Sequence, residues 1–189
     1  MFSLDALVLA KRRVRDGTFV VTLFTREYGR VKAFCQERKS RPMDVGQLVF
    51  ATVESKAGTN RVREYQAKGG VKYAGLPYDD MEAALSFFAL LDQLTPEGTA
   101  NAATYDDAVN ALEALSRPQG ARCASALLRL KLTVAYGICQ SSPDPKVTAF
   151  VQALRESRAK LRDVTMEPAT LEAIVRHVDA SVGSFLAKA

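Results

Sequence analysis

The sequence predicts an α+β fold in which a small β-barrel is followed by an all-α helical bundle. The first 70 or so residues show strand-like alternation broken by hairpin turn signals, whereas apolar residues recur at helical spacing from about residue 78 onward. A segment rich in glycine, residues 68–78, separates these two patterns. We therefore expect one domain at residues 1–75 and a second at residues 76–189.

Five short strands joined by tight turns are predicted in the N-terminal part. An apolar run at residues 4–10 passes into the basic segment KRRVR, which we expect to form a charged loop. Asp16-Gly17 is a hairpin signal, and the strand TFVVTLFT after it is predicted to turn Phe19, Val21 and Leu23 toward the core. The runs VKAFCQ, QLVFATVESK and RVREYQAK complete the set. So many short strands favour closure into a five-stranded OB-fold barrel, because closure removes exposed sheet edges.

Alternation also predicts which side chains of the later strands face solvent. In the third strand, Ala33 and Cys35 are predicted to point inward, with Lys32 and Phe34 outward. A lysine beside a phenylalanine suits a phosphate contact next to a base-stacking ring, although Phe34 could equally cover a second layer of structure. The fifth strand is predicted to carry three side chains on one face: Arg61, Arg63 and Tyr65.

Positive charge is concentrated in the predicted barrel. Residues 1–75 hold 15 Lys and Arg against 7 Asp and Glu, a net charge of +8, whereas the remainder carries −3. A basic module of this size attracts polyanions, of which nucleic acid is the commonest, and a solvated basic face is the alternative. The candidate nucleic-acid contacts are Arg12, Arg13, Arg15, Tyr28, Arg30, Lys32, Phe34, Arg38, Lys39 and Arg41.

The second part predicts five helices. Asp79-Asp80 and Asp106-Asp107 lie at predicted helix starts, where the helix dipole favours carboxylates. The central helix, ARCASALLRLKLTVAYG, is mostly apolar and ends at a glycine. Its basic residues are the candidates for contact with a protein partner, in a groove that would take an acidic apolar peptide: Arg122, Arg129 and Lys131.

Catalytic and metal-dependent functions find little support in the sequence. Cys35, Cys123 and Cys139 are widely spaced and are expected to be buried thiols, so neither disulfides nor a zinc site are predicted. The single histidine, His177, is expected at the surface or its boundary. Phosphate-loop and GxSxG motifs are absent, as is any apolar run of membrane-spanning length. We expect a cytoplasmic binding protein without a cofactor rather than an enzyme.

The segment LFTREYGRV, residues 23–31, resembles the RecO family of bacterial DNA-repair recombination mediators. The basic loop KSR, residues 39–41, and the segment LLRLKLTVAYGI, residues 127–138, are also similar to that family. The resemblance implies an OB-fold that binds single-stranded DNA, with duplex DNA or RNA as further ligands, and a helical domain. It also implies strand annealing and recombinase loading at the nucleoid, with a RecR-like protein and the C-terminal tail of single-strand-binding protein as partners. A four-cysteine zinc cluster of some members is not carried over. The alternative is an OB-fold module that binds RNA or protein and has no role in recombination.

Overall fold

The computed structural model describes residues 1–15, 17–36, 42–139, 142, 144–156 and 166–187, with the side chains of 153–156 excepted. Three candidate basic residues, Arg38, Lys39 and Arg41, lie outside the described residues. The chain divides into two units. The first comprises Met1–Lys72 with Phe88–Leu112, and the second comprises Tyr73–Phe87 with Glu113–Ala189.

The first unit contains a closed five-stranded barrel of OB type, as predicted. Its strands are β1 (Phe2–Arg15), β2 (Thr18–Thr25), β3 (Gly29–Gln36), β4 (Gln47–Lys56) and β5 (Thr59–Gly70). Their order around the barrel is β1-β2-β3-β5-β4, and β4 returns to pair with β1. The pairs are antiparallel except for β3 and β5, which run parallel and close the barrel.

Alternating apolar side chains fill the barrel interior. Val21 and Leu23 are almost completely buried there and Phe19 is partly buried, so the predicted inner face of β2 is confirmed. Ala33 and Cys35 of β3 also point inward. Because each inward side chain sits between two outward ones, the same register places an alternating set of side chains on the outer surface.

Two strand predictions are wrong, one because β1 is longer than predicted and one because the register of β5 shifts. The segment 11–15 is not a loop: β1 continues through it and pairs with β2 as far as Arg15 opposite Thr18, with a bulge between Arg13 and Arg15. In β5, the register skips one residue between the partners of Thr52 and Val53. An extra residue turns the following side chain to the other face, so Tyr65 packs against the core instead of lying beside the arginines.

The rest of the first unit lies between Phe88 and Leu112. It includes the last turns of α1 (Tyr78–Leu94) and all of α2 (Ala102–Ala111). The ring of Phe24, which alternation places on the outer face of β2, is fully buried and meets Tyr105 edge-on at 5.7 Å. Burial, together with nearby carboxylates, raises the pKa of Tyr105 to about 12. An apolar contact therefore covers this side of the barrel within the unit.

The second unit is helical, as predicted. It contains a 3-10 turn at Ala114–Ser116, α3 (Gly120–Ala135), α4 (Pro145–Glu156) and α5 (Pro168–Leu186). The mostly apolar α3 is largely buried. The buried carboxylate of Asp80 accepts hydrogen bonds from the backbone N–H groups of Gln119 (2.8 Å) and Arg122 (3.3 Å), so it caps the start of α3. In the described part of the chain, every helix is too short or too polar to cross a membrane.

Candidate nucleic-acid interface

A row of side chains crosses four strands on the outer surface of the barrel. The strand pairing sets Arg12 of β1 opposite Val20 of β2, Val20 opposite Phe34 of β3, and Phe34 opposite Arg61 of β5. Neighbouring strands are about 4.8 Å apart, so the backbones of the two arginines are about 14 Å apart when measured along the curved sheet, and Phe34 lies between them. We call these four residues the cross-strand row.

The cross-strand row is open to solvent. Arg12 and Arg61 are exposed, Val20 is half-buried, and Phe34 has 37% of its surface accessible. An exposed aromatic face between two guanidinium groups offers a stacking surface for a base together with donors for its phosphates. The prediction that Phe34 points outward is confirmed.

Several cations near the row are exposed to solvent. Among the described residues, Arg12, Arg15, Lys56 and Arg61 make no ion pair with a carboxylate, and all four are exposed. Arg15 ends β1 beside the β1–β2 turn, and Lys56 ends β4 beside the β4–β5 turn. In OB-folds these two turns and the face of β2 and β3 are the usual place for an oligonucleotide. Arg13, also exposed, lies opposite Phe19 at the same end of β1.

Lys32 lies two residues before Phe34 on the same outer face. Its ammonium group pairs with Glu97 at 3.2 Å, and about half of each side chain is accessible. Such an exposed pair is worth only about 0–1 kcal/mol, so a phosphate can replace the carboxylate at little cost. Lys32 therefore stays a candidate contact.

Arg30 occupies a different environment. Its guanidinium is mostly buried, Nη1 donates to both the carboxylate of Asp92, at 2.9 Å, and the carbonyl oxygen of Asp92, and buried Nε lacks a described partner. Hydrogen bonds from a charged group are worth about 1.5–3 kcal/mol each, which is more than an exposed pair. We therefore interpret Arg30 as a structural residue that holds β3 to the end of α1.

Tyr28 is distant from the cross-strand row. It lies in the β2–β3 turn. The last strand pair before this turn, Thr25 with Gly29, is five residues, or about 17 Å, along the strands from the pair of Val20 with Phe34. Its ring is half-exposed and packs on Phe2 with centroids 5.6 Å apart. The structure thus brings together five members of the predicted set and leaves Tyr28 and Arg30 nearer the β2–β3 turn. The five are Arg12, Arg13, Arg15, Lys32 and Phe34.

The site also includes residues that the sequence indicated only weakly. Neither Arg61 nor Lys56 was among the candidate contacts, and the proximity of Arg61 to Phe34 depends on the closure of β3 on β5. The alternation of RVREYQAK did mark Arg61 as outward. What the linear sequence lacked was the register that sets Arg61 against Phe34.

The β2–β3 turn has a tightly specified structure. Thr25 Oγ1 donates to the carbonyl oxygen of Gly29 and accepts from the backbone N–H of Tyr28, at 3.1 and 2.9 Å. Gly29 has φ of +64°, and a side chain there would overlap the backbone of Thr99. Thr25 and Gly29 of LFTREYGRV therefore shape this turn and its contact with residues 97–99.

The helical unit has a groove of about 610 Å³ with an apolar floor that includes Ala126, Leu171 and Val175. Two of the three candidate partner residues, Arg122 and Arg129, line it, whereas Lys131 is not among its lining residues. Arg129 pairs with Asp179 across the groove. Its described charged lining comprises three arginines and four carboxylates, so the groove as a whole is not basic.

Comparison with known proteins bears on the N-terminal unit. Residues 1–60 match the family model described as recombination protein O, N terminal. The chain is also 33% identical over 104 residues to a DNA repair protein RecO of Pelobacter propionicus, an alignment that covers 50% of this chain and 42% of that relative. The chain thus aligns with less than half the length of this curated relative. These matches confirm the resemblance to the RecO family that the segment at residues 23–31 predicted.

Proposed function

We propose that this chain is a RecO-like recombination mediator that binds single-stranded DNA on the cross-strand row and acts in DNA repair. The observation that carries the proposal is the exposed ring of Phe34 between Arg12 and Arg61 on a barrel of OB type. The match of residues 1–60 to the recombination protein O family supports DNA as the ligand. We propose a binding role rather than a catalytic one.

Binding would combine two physical effects. The exposed cations without an ion pair among the described residues, with Arg13, neutralise phosphates and release condensed counterions: Arg12, Arg13, Arg15, Lys56 and Arg61. The ring of Phe34 stacks on a base of any identity, because every base has a π-face. Together these effects give binding that ignores sequence and weakens steeply with salt.

Titration of a labelled single-stranded oligonucleotide at several salt concentrations tests the proposal. If about five phosphates are neutralised, the slope of log K against log salt is about −3.5, from roughly 0.7 per phosphate on single strands. A flat salt response, or no binding at low salt, would contradict the proposal.

Phe34→Leu isolates the stacking contribution, and Phe50→Leu is its matched control. Both rings lie on strands and are similarly accessible, at 37% and 40%, but Phe50 lies opposite Asp5 and Gln66 on β1 and β5. Loss of one stacked base costs about 1–3 kcal/mol, so Phe34→Leu should weaken binding roughly 5- to 150-fold. Equal losses in the two variants would contradict a specific role for Phe34.

An OB-fold module that binds RNA, or protein, without a role in recombination is the alternative function. Single-stranded RNA offers the same phosphates and stacking faces, so the cross-strand row alone does not separate the two ligands. Competition between matched DNA and RNA oligonucleotides decides between them. We expect DNA to compete at least as well as RNA, and a strong preference for RNA would favour the alternative.

Annealing of complementary strands and loading of recombinase are the further activities of this proposal, with a RecR-like protein as partner. A basic surface promotes annealing because it screens two phosphate backbones from each other. Annealing of two complementary oligonucleotides should therefore accelerate with the wild-type chain and much less with Phe34→Leu. If Phe34→Leu accelerates annealing as much as the wild-type chain does, annealing does not depend on the cross-strand row.

The groove in the helical unit is the proposed site for the acidic, apolar C-terminal tail of single-strand-binding protein. Its apolar floor and the exposed Arg122 favour such a peptide, whereas Arg129 is already paired with Asp179. A peptide of that tail should bind more weakly to Arg122→Ala, with Lys131→Ala as the control outside the groove. No binding, or an equal loss in both variants, would contradict this assignment.

A further inference from the structure

Cys139 and His177 form a thiol–imidazole pair in the helical unit. Cys139 Sγ lies 3.3 Å from His177 Nε2, a hydrogen-bond distance when one of the partners is sulfur. The thiol follows the end of α3, and the histidine lies on α5. Both side chains are partly accessible, so a small reagent can reach the sulfur. This environment differs from that of the buried thiols that the sequence predicted.

The backbone holds the sulfur in place. Gly137 has φ of +68° and ends α3 in a left-handed turn, after which the N–H groups of Ile138 and Cys139 both donate to the carbonyl oxygen of Thr133, at 2.8 and 3.1 Å. Two hydrogen bonds to one residue fix the direction of the chain at Cys139. The imidazole therefore faces a thiol whose position is defined by the helix cap.

The imidazole is what favours ionisation of this thiol. The carboxyl end of α3 carries partial negative charge, which opposes a thiolate. A neutral imidazole accepts the thiol proton, and the resulting imidazolium stabilises the thiolate, which is the nucleophilic form of cysteine.

We propose that Cys139 is a reactive thiol, activated by His177, and a site of reversible modification by low-molecular-weight disulfides. In this reaction the thiolate of Cys139 attacks one sulfur of the disulfide. A new S–S bond forms to the protein as the S–S bond of the reagent breaks, and the expelled thiolate takes up the proton held by His177. The disulfide is the oxidant, and a free thiol reverses the adduct.

The other two cysteines provide internal controls. Cys35 lies in the barrel core and Cys123 is buried in α3, where burial raises the pKa of its thiol. Trypsin separates all three, because cleavage after Lys and Arg gives one cysteine to each of the peptides 33–38, 123–129 and 132–146. The relative rate of reaction at each thiol can thus be read from one digest by mass spectrometry.

The test treats the folded chain with 2-hydroxyethyl disulfide, and separately with iodoacetamide, and follows the three peptides over time. We expect peptide 132–146 to be modified about tenfold faster than the other two, and we expect the disulfide adduct to be removed by a thiol reductant. Equal rates at the three cysteines, or slowest reaction at Cys139, would overturn the proposal.

His177→Gln tests the role of the imidazole, because it keeps a polar side chain of similar reach but removes the base. We expect the rate at Cys139 to fall several-fold in this variant while the rates at Cys35 and Cys123 stay unchanged. His177→Asn is the second variant, and unchanged rates at the two buried cysteines establish that either variant is folded. An unaltered rate at Cys139 in a folded variant would contradict activation by His177.

Discussion

Substitution of Gly29 by alanine measures how strongly the β2–β3 turn depends on its contact with Thr99. Gly29 and Gly58 both have left-handed backbones, with φ of +64° and +75°. A Cβ at Gly29 would overlap the carbonyl oxygen of Thr99 and lie 2.9 Å from its nitrogen, whereas a Cβ at Gly58 meets no heavy atom within 4 Å. The two positions therefore share a backbone conformation and differ in what surrounds them.

The expected loss of stability has two contributions, the left-handed backbone conformation and the overlap with neighbouring backbone atoms. The left-handed conformation costs an alanine about 1–2 kcal/mol at either position. Displacement of a packed backbone adds about 1–3 kcal/mol at Gly29 alone, since overpacking costs are of this size. We therefore expect Gly29→Ala to lower the free energy of unfolding by about 3 kcal/mol and Gly58→Ala by about 1.5 kcal/mol.

Thermal unfolding followed by circular dichroism checks the difference. About 2–4 °C of Tm per kcal/mol is usual for a chain of this size, so Gly29→Ala should lower Tm by about 6–12 °C and Gly58→Ala by about 3–6 °C. Equal shifts for the two variants would refute the reasoning, because they would show that the backbone near Thr99 does not restrict Gly29.

Three further predictions concern stability. Asp80→Ala removes the cap of α3 and should cost about 1–2 kcal/mol in urea denaturation, whereas Asp79→Ala at the neighbouring exposed position should cost much less. Tyr105 should ionise near pH 12 in an absorbance titration, and Tyr105→Phe should remove this late step. Because a tyrosine in the unfolded chain ionises first, the folded state should lose stability as pH rises from about 10 to 12. Ionisation of Tyr105 near pH 10 would contradict this prediction. Arg30→Met should lower Tm while the affinity for single-stranded DNA stays nearly constant, and a large loss of affinity without loss of stability would return Arg30 to the interface.

Features set by local pattern could be predicted from the sequence. The period of two in β2 and β3 is enough to place Val21 and Leu23 inside the barrel and Phe34 outside, because strand geometry alone fixes which face a side chain takes. The barrel of OB type and the helical part followed from the same patterns. The domain boundary between residues 75 and 76 stays a prediction.

Features set by distant parts of the chain could not be predicted. Arg30 pairs with Asp92, which lies 62 residues away in the chain, so the sequence alone showed Arg30 only as a candidate phosphate contact. Asp80 was interpreted as a residue of its own helix, although it caps α3. The proximity of Arg61 to Phe34 requires the parallel pairing of β3 with β5, a contact between strands far apart in sequence. Alternation assigns a side chain to a face but says nothing about its neighbour across the sheet.

The most direct test of the central claim compares the salt dependence of single-stranded DNA binding in Arg61→Ala and Arg63→Ala. Both arginines are exposed on β5, but Arg61 lies opposite Phe34 while Arg63 pairs with Glu54. Loss of one phosphate contact should reduce the slope of log K against log salt by about 0.7 in Arg61→Ala, with the slope unchanged in Arg63→Ala. Identical slopes in the two variants and the wild-type chain would contradict binding on the cross-strand row.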